Sequence, residues 1–462
     1  MKLINTSFVE RLFYKLSKNG SCLLNGLIIT NINENAIKFI SDCIIKEAMF
    51  HLYKRHPLLQ CHIHKTRFRR KIYFAVPEND TERRTIEDMK FEKVRIASKE
   101  ELVSILENFN VELFDYEKKC LMFKLKVFEW KQENDKDFYA FSLTVPHCLS
   151  DGINITTLCI EFVNILNSLL QNIKFNEISE QLEVIDTADD LVKKSLITDE
   201  IKAKFKNRKK NEKTIKFRTS IELANKDAES STKINLLMFD ENFTNKLISY
   251  AKSNGIKLTG ILTVAMFNAT KELYKENKLE FPKVVSLLLP VSLRHRIKPT
   301  VDNADMRFLV MADFMKIKNF GECETFAEES RNVDKILVAD LDDGLIFDGL
   351  LNPILRIVSV IMEHLSIKIL NKLMSKTPSN FCISNIGTYA ADKQRMLDGP
   401  LKVQEIYFGD VAFEYGGIAL FVQTFNNKLM IRLSTNRKAL DSKHSDRFMN
   451  LFEKQLKGVI ME

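Results

Sequence analysis

Residues His147-Cys-Leu-Ser-Asp-Gly152 bring together side chains suited to moving a proton near neutral pH. An imidazole changes charge in that range, which makes His147 a candidate general base. Asp151, four residues on, can orient the ring directly or shape the loop through a partner elsewhere. Gly152 removes side-chain bulk where a helix begins. The run Phe141-Ser-Leu-Thr-Val-Pro146 reads as the end of a strand, and loops held by a rigid sheet are common mounts for reacting groups. A structural alternative uses the same residues: a loop histidine, followed by an aspartate that caps the next helix. His56, Cys61, His62 and His64 also cluster, but no second ligand pair stands at zinc-site spacing, so no metal is expected. Neither a GxGxxG nor a P-loop string occurs, so no resident cofactor is expected.

Elements of both kinds must position these residues. Leu24–Thr30 reads as a strand and Glu34–Lys54 as an amphipathic helix that stops before Arg55-His-Pro57, since the residue preceding proline disfavours helix. Strands follow near Gln60–His64 and Lys71–Val76. Cys120–Phe128 alternates apolar and polar, the pattern of a half-buried strand. Phe138–Val145 is nearly continuous in apolar residues, the pattern of a strand covered on both faces. After Gly152 an apolar helix runs to about Leu170. Beyond residue 232 the pattern gives a strand at Ile234–Phe239, helices at Asn242–Asn254 and Thr259–Tyr274, and a strand at Val284–Leu289. Further strands are read at Ser379–Ser384, Val403–Phe408, Ile418–Phe425 and Lys428–Ser434, the last two as a hairpin across Asn426-Asn427. The mixture predicts an α/β fold in three segments: a lobe over 1–180 carrying the motif, a polar basic crossover over 181–232, and a lobe over 233–462.

With 462 residues, 45% hydrophobic and 28% charged, the chain can bury a sizeable core, which excludes disorder for its bulk. The net charge of +8 is modest, and much of it sits in Lys202–Lys216, with Lys204, Lys206, Arg208, Lys209, Lys210 and Lys213. Such a run reads first as a solvated loop and second as a patch for phosphate or an anionic membrane. No aromatic-rich basic module accompanies it, so no nucleic-acid partner is expected. The eight cysteines form no CxxC pair, and several, such as Cys43, Cys159 and Cys382, lie in apolar segments; they read as reduced thiols. The first residues lack a signal-type apolar block. Leu345–Met374 is interrupted by Asp348, Arg356, Glu363, Lys368 and Lys372, which argues against a spanning helix. The expectation is a cytoplasmic monomer, with peripheral membrane contact as the alternative.

Four strings in a fixed order carry a resemblance to a known family. These are Leu52-Tyr-Lys-Arg-His-Pro-Leu-Leu59, His147–Gly152, Leu289-Pro-Val-Ser-Leu-Arg-His-Arg296 and Ser384-Asn-Ile-Gly387. Over nearly its whole length the chain resembles the HxxxDG acyltransferase superfamily, which includes chloramphenicol acetyltransferase, condensation domains, plant BAHD enzymes and alcohol acetyltransferases. The resemblance implies two chloramphenicol-acetyltransferase-like lobes with an active-site tunnel between them. It implies His147 as general base, with acyl-CoA as co-substrate and a small alcohol or amine as acceptor. Asp151 would be structural and paired with Arg294, for which Arg296 competes; Gly152 would keep the tunnel open. Ser384 and Asn385 would supply oxyanion or tunnel contacts, unless the segment is a plain helix-entry turn.

Two departures bear on the branch. Condensation domains carry a second histidine just before the motif, where this chain has Pro146. The plant enzymes carry a D-F-G-W-G segment, where this chain reads Tyr407-Phe-Gly-Asp-Val-Ala-Phe-Glu-Tyr-Gly-Gly417. Both point to the free-standing alcohol acetyltransferase-like branch. Two other functions stay open at the level of sequence: a catalytically silent relative that binds or scaffolds, and a membrane-peripheral lipid acyltransferase.

Overall fold

Side-chain caps decide where several helices begin. Ser7, Ser41, Asp151, Asp240, Thr325 and Asp441 each accept a hydrogen bond from a backbone N–H of the following turn. That satisfies donors a helix cannot pair internally. The computed structural model describes residues 1–18, 20, 22–32, 39–66, 71–79, 83–107, 114–116, 121–131, 137–173, 180–211, 232–352, 361–362, 365–366, 369, 381–389, 399–410 and 417–461. Residues 212–216 of the basic run, much of Leu345–Met374, and residues 411–416 opposite the plant motif lie outside this set.

The elements gather into two units, the first built from Met1–Val192, Leu293–Leu309 and Thr388–Ala412. Its strands are β1 (Lys2–Asn5), β2 (Leu23–Ile32), β3 (His62–Lys65), β4 (Ile72–Val76), β5 (Phe91–Arg95), β6 (Lys124–Lys131) and β7 (Asp137–Pro146). Its helices are α1 (Phe8–Ser17), α2 (Asp42–Arg55), α3 (Lys99–Glu107) and α4 (Gly152–Leu170), with the start of α5 (Ala188–Ser195). The second unit holds Lys193–Ser292, Val310–Gly387 and Phe413–Glu462. Its helices are α6 (Asp199–Asn211), α7 (Glu241–Ser253), α8 (Leu258–Glu276), α9 (Phe326–Asp342), α10 (Asp348–Leu351) and α11 (Ser442–Val459). Its strands are β8 (Thr232–Phe239), β9 (Val284–Ser292), β10 (Val310–Lys318), β11 (Phe381–Thr388), β13 (Ile418–Phe425) and β14 (Lys428–Asn436), while β12 (Leu401–Asp410) belongs to the first unit.

The first unit's main sheet runs β12-β2-β7-β6-β5, antiparallel except for the parallel β5–β6 pair, beside a smaller sheet β1-β4-β3. Strand β7 is buried from Tyr139 onward, apart from its first two residues, as its unbroken apolar sequence requires. Helix α4 is long and apolar enough to cross a membrane, but most of it is buried inside this unit. It lies so close to β2 that a Cβ on Gly26 would come within 2.4 Å of Cys159 Sγ and 3.2 Å of the Ile155 carbonyl oxygen.

In the second unit the sheet order is β10-β9-β11-β13-β14-β8. One face is core, where Leu287, Ile383, Leu420 and Ile431 of the strands meet Phe267 of α8 and Phe452 of α11. The hairpin of β13 and β14 turns on Asn426 and Asn427, both at positive φ, which suits the mirror-image turns that match strand twist.

Several expectations change. The division is not three contiguous segments: β12, expected in the later lobe, pairs along β2, and residues 293–309 belong with the first unit. Hydrogen bonds to distant strands, invisible to local pattern, set those assignments. The first long helix starts at Asp42 rather than Glu34, because Ser41 caps it. The crossover is partly helical, as α5 and α6, and among its described residues part of the charge is matched. Lys204 pairs with Glu200, Arg208 with Asp340 and Asp343, and Lys209 with Asp348. Ser384–Gly387 lies within β11 rather than at a helix-entry turn.

Two tests follow from packing and burial. Gly26→Ala should lower stability by about 1–3 kcal/mol through overpacking, and adding Cys159→Ala should recover part of that in denaturant melts. Asp313 on β10 is pushed up to about 7, chiefly by burial and secondarily by Asp340, from 3.8 for the free group. Between those values the folded state holds a proton that the unfolded chain has released. Stability therefore falls as pH rises through that window and is level above it. Asp313→Asn should flatten this slope and raise stability at pH 8 by about 2 kcal/mol, read from unfolding curves across pH.

Candidate active site

Strand β7 ends at Pro146, and the backbone N–H of His147 donates to the Cys22 carbonyl (3.0 Å), which fixes the loop to the start of β2. The His147 ring nitrogen Nδ1 lies 2.8 Å from the Ser150 carbonyl oxygen. A carbonyl only accepts, so Nδ1 carries the hydrogen, and in the neutral imidazole the lone pair resides on Nε2. The turn thereby selects a tautomer able to take a proton at Nε2. The ring is half-buried and flanked by two phenylalanines, Phe13 of α1 at 4.8 Å and Phe308 at 5.2 Å between centroids.

Asp151 faces elsewhere. One carboxylate oxygen accepts from Asn154 N–H (3.0 Å), and the other from Arg294 Nη2 (2.9 Å) and Leu309 N–H (3.2 Å). These three partners, not His147, account for the hydrogen bonds of its carboxylate among the described residues. The Asp151–Arg294 ion pair has side chains 1% and 0% exposed. Arg294 also donates from Nη1 to the carbonyls of Asp302 and Asp305, and from Nη2 to Asn154 Oδ1 and the Arg307 carbonyl. Asn154, one turn into α4, returns Nδ2 hydrogen bonds to the Asn303 and Asp305 carbonyls. The first turn of α4 and the loop 294–309 are thus joined through one buried guanidinium. Gly152 is the first residue of α4. Arg296, the competing partner, is exposed.

A second buried pair supports the same loop. Arg307 Nε lies 2.8 Å from Glu10 Oε1, both side chains fully buried, and Arg307 also donates to the Asn5 carbonyl. Glu10 closes a capping box with Ser7 at the start of α1. Burial raises the Glu10 carboxyl above its usual range, partly offset by Arg307. Further along α4, Glu161 accepts from Arg55 Nε (3.2 Å) and lies 2.6 Å from His56 Nε2, which ties down the end of α2. His56, weighed in the sequence as a metal ligand, is occupied by this carboxylate.

The structure thus brings His147, Asp151, Gly152 and Arg294 together in the first unit. Ser384 and Asn385 lie on β11 of the second. Asn385 is engaged locally, with Nδ2 donating to Thr259 Oγ1 (3.3 Å) and Oδ1 accepting from Gly387 N–H (2.9 Å). Sequence reading missed Phe13, Glu10, Asn154, Arg307 and Phe308. The S-x-x-E string at Ser7–Glu10 is a signal that marks α1 in advance.

Arg294→Lys should cost about 3 kcal/mol, since an ammonium cannot replace the planar guanidinium that serves the buried Asp151 carboxylate and the Asp302 and Asp305 carbonyls together. Arg296→Lys should stay within about 0.5 kcal/mol, as exposed substitutions do. Chemical denaturation of both variants checks the difference.

Comparison with known proteins adds an independent line. No curated protein matches by sequence. Residues 228–433 match the family described as phthiocerol/phthiodiolone dimycocerosyl transferase, C-terminus. Among solved structures, the chain resembles the trichothecene 15-O-acetyltransferase TRI3 of Fusarium sporotrichioides (12% identity, 97% of this chain and 93% of that one, TM-score 0.68). It also resembles polyketide synthase associated protein 5 of Mycobacterium tuberculosis (13%, 99% and 98%, TM-score 0.64). The epimerization domain from the third module of tyrocidine synthetase B gives similar values (13%, 99% and 97%, TM-score 0.64). Over residues 228–433 the chain is thus similar to that transferase family, and over its length it shares the fold of these structures and of the first condensation domain of the calcium-dependent antibiotic synthetase.

Proposed function

We propose that the protein transfers an acyl group from acyl-CoA to an alcohol or amine by direct attack, with His147 as general base. The observation that carries this reading is the Nδ1 contact to the Ser150 carbonyl, which leaves the Nε2 lone pair for an incoming proton. Nε2 takes the proton of the acceptor hydroxyl or amine as its heteroatom attacks the thioester carbonyl. The C–S bond then breaks, and the same proton passes to the departing thiolate. The acceptor is acylated and the imidazole regenerated, with no covalent acyl-enzyme. Asp151 holds the loop rather than relaying charge, since its oxygens are committed to Arg294 and backbone N–H groups. Pro146 before the motif favours a free thioester such as acyl-CoA over a carrier-bound one.

Thiol release from a panel of acyl-CoAs, with pooled alcohols and amines, tests this in the wild type and His147→Ala. The variant should be slower by about 10²–10⁴-fold. Equal rates would remove His147 from the chemistry, and no release from any thioester by the wild type would point to a binding protein.

A further inference from the structure

Three aromatic rings close around one another in the first unit. Phe13 and Phe308 each lie against His147, and they meet each other edge-on at 5.1 Å and 78°. Neither phenylalanine is adjacent to His147 in sequence, and each is set by a buried polar anchor. Phe13 follows Glu10 by three residues on α1, so the two share a face of that helix. Glu10 is fastened to Arg307. Phe308 is the residue after Arg307 and the residue before Leu309, whose N–H donates to Asp151. The Arg307 N–H donates to Asn154 Oδ1, so the backbone is pinned on both sides of Phe308.

A single hydrogen bond from Nδ1 to the Ser150 carbonyl does not by itself prevent an imidazole from turning over, because rotation of the terminal torsion is soft. A turned ring places carbon where the nitrogen lone pair was. Aromatic walls at 4.8 and 5.2 Å, tilted 48° and 62° to the imidazole plane, obstruct that rotation. We propose that Phe13 and Phe308 are positioning residues for His147, held in place by the buried Glu10–Arg307 pair, and that they keep Nε2 turned towards the reacting groups. The inference rests on His147 being the base, and it adds what fixes that base in one orientation.

The test uses ¹⁵N-histidine NMR of the full chain above the imidazole pKa, with the His147 signals assigned by their loss in His147→Gln. The wild type should show the Nδ1–H tautomer. Phe13→Leu and Phe308→Leu should each shift His147 towards a tautomer mixture. In the same variants kcat for thiol release should drop about 10–100-fold, with KM within about 3-fold, the pattern of a misplaced group rather than lost binding. Phe13→Tyr, which keeps the ring, should restore kcat to within about 3-fold of wild type. Phe13 is only half-buried, so Phe13→Leu carries the test if Phe308→Leu fails to fold. Leucine variants that keep the wild-type tautomer and kcat overturn the proposal, as does a wild type without the Nδ1–H state. The tautomer needs no turnover to be read. A tautomer lost in the leucine variants of a protein that is itself inactive on thioesters therefore supports the positioning role while the transferase reading fails.

Discussion

The buried guanidinium of Arg294 is the group on which the surroundings of His147 depend. It gathers an aspartate side chain, an asparagine side chain and three backbone carbonyls, from α4 and from a loop about 140 residues later in the chain. Removing so many polar groups from water is costly, and such a pair is weak evidence for net stability. What it supplies is geometry. Asp151 must cap α4, meet Arg294 and accept from Leu309 at once, which leaves little freedom in the residues between His147 and the helix.

That division of labour explains why the motif contains both an imidazole and a carboxylate that do not touch. The carboxylate fixes the turn, and the turn offers the Ser150 carbonyl to Nδ1. The hydrogen then resides on the nitrogen facing the protein, and the lone pair on the other. A carboxylate at Nδ1 would select the same tautomer but would also favour the charged ring through its full negative charge. A neutral carbonyl selects it without adding that charge, which is compatible with the general-base role proposed for His147. The Glu10–Arg307 pair repeats the device on the other side of the loop and brings α1 into the same arrangement.

Much of this is legible in the sequence where the signal is local. The strand into His147, the apolar helix after Gly152, the hairpin at Asn426-Asn427 and the proline that ends α2 all follow from short-range pattern. The end of that helix was legible, but its start was not, since Ser41 is one of several polar residues that serve equally as a cap. The pairing of Asp151 and Arg294 entered through resemblance, because nothing in either residue's own neighbourhood marks its partner. Membership of β12 in the first unit's sheet depends on pairing with β2, about 370 residues or more earlier, a separation no periodicity reveals. Phe13 and Phe308 were hidden for a related reason. A phenylalanine packed against a loop histidine carries the same hydrophobic signature as one in a core.

The basic run shows the limit of charge counting. As sequence it reads as a free cationic segment; in the structure Arg208 and Lys209 of α6 meet Asp340, Asp343 and Asp348 of the same unit. Part of the run is thus matched by carboxylates more than 100 residues away in sequence.

The most direct measurement of the central claim is a double-mutant cycle over Asp151→Asn and Arg294→Met, read as both unfolding free energy and thiol-release rate. If the pair fixes the loop that sets His147, the two losses overlap, and the double variant falls short of their sum by at least about 2 kcal/mol in stability. The rate should be no lower in the double variant than in the worse single one. Additive losses in both readouts would mean the two side chains act independently, and the account of how His147 is held would be wrong.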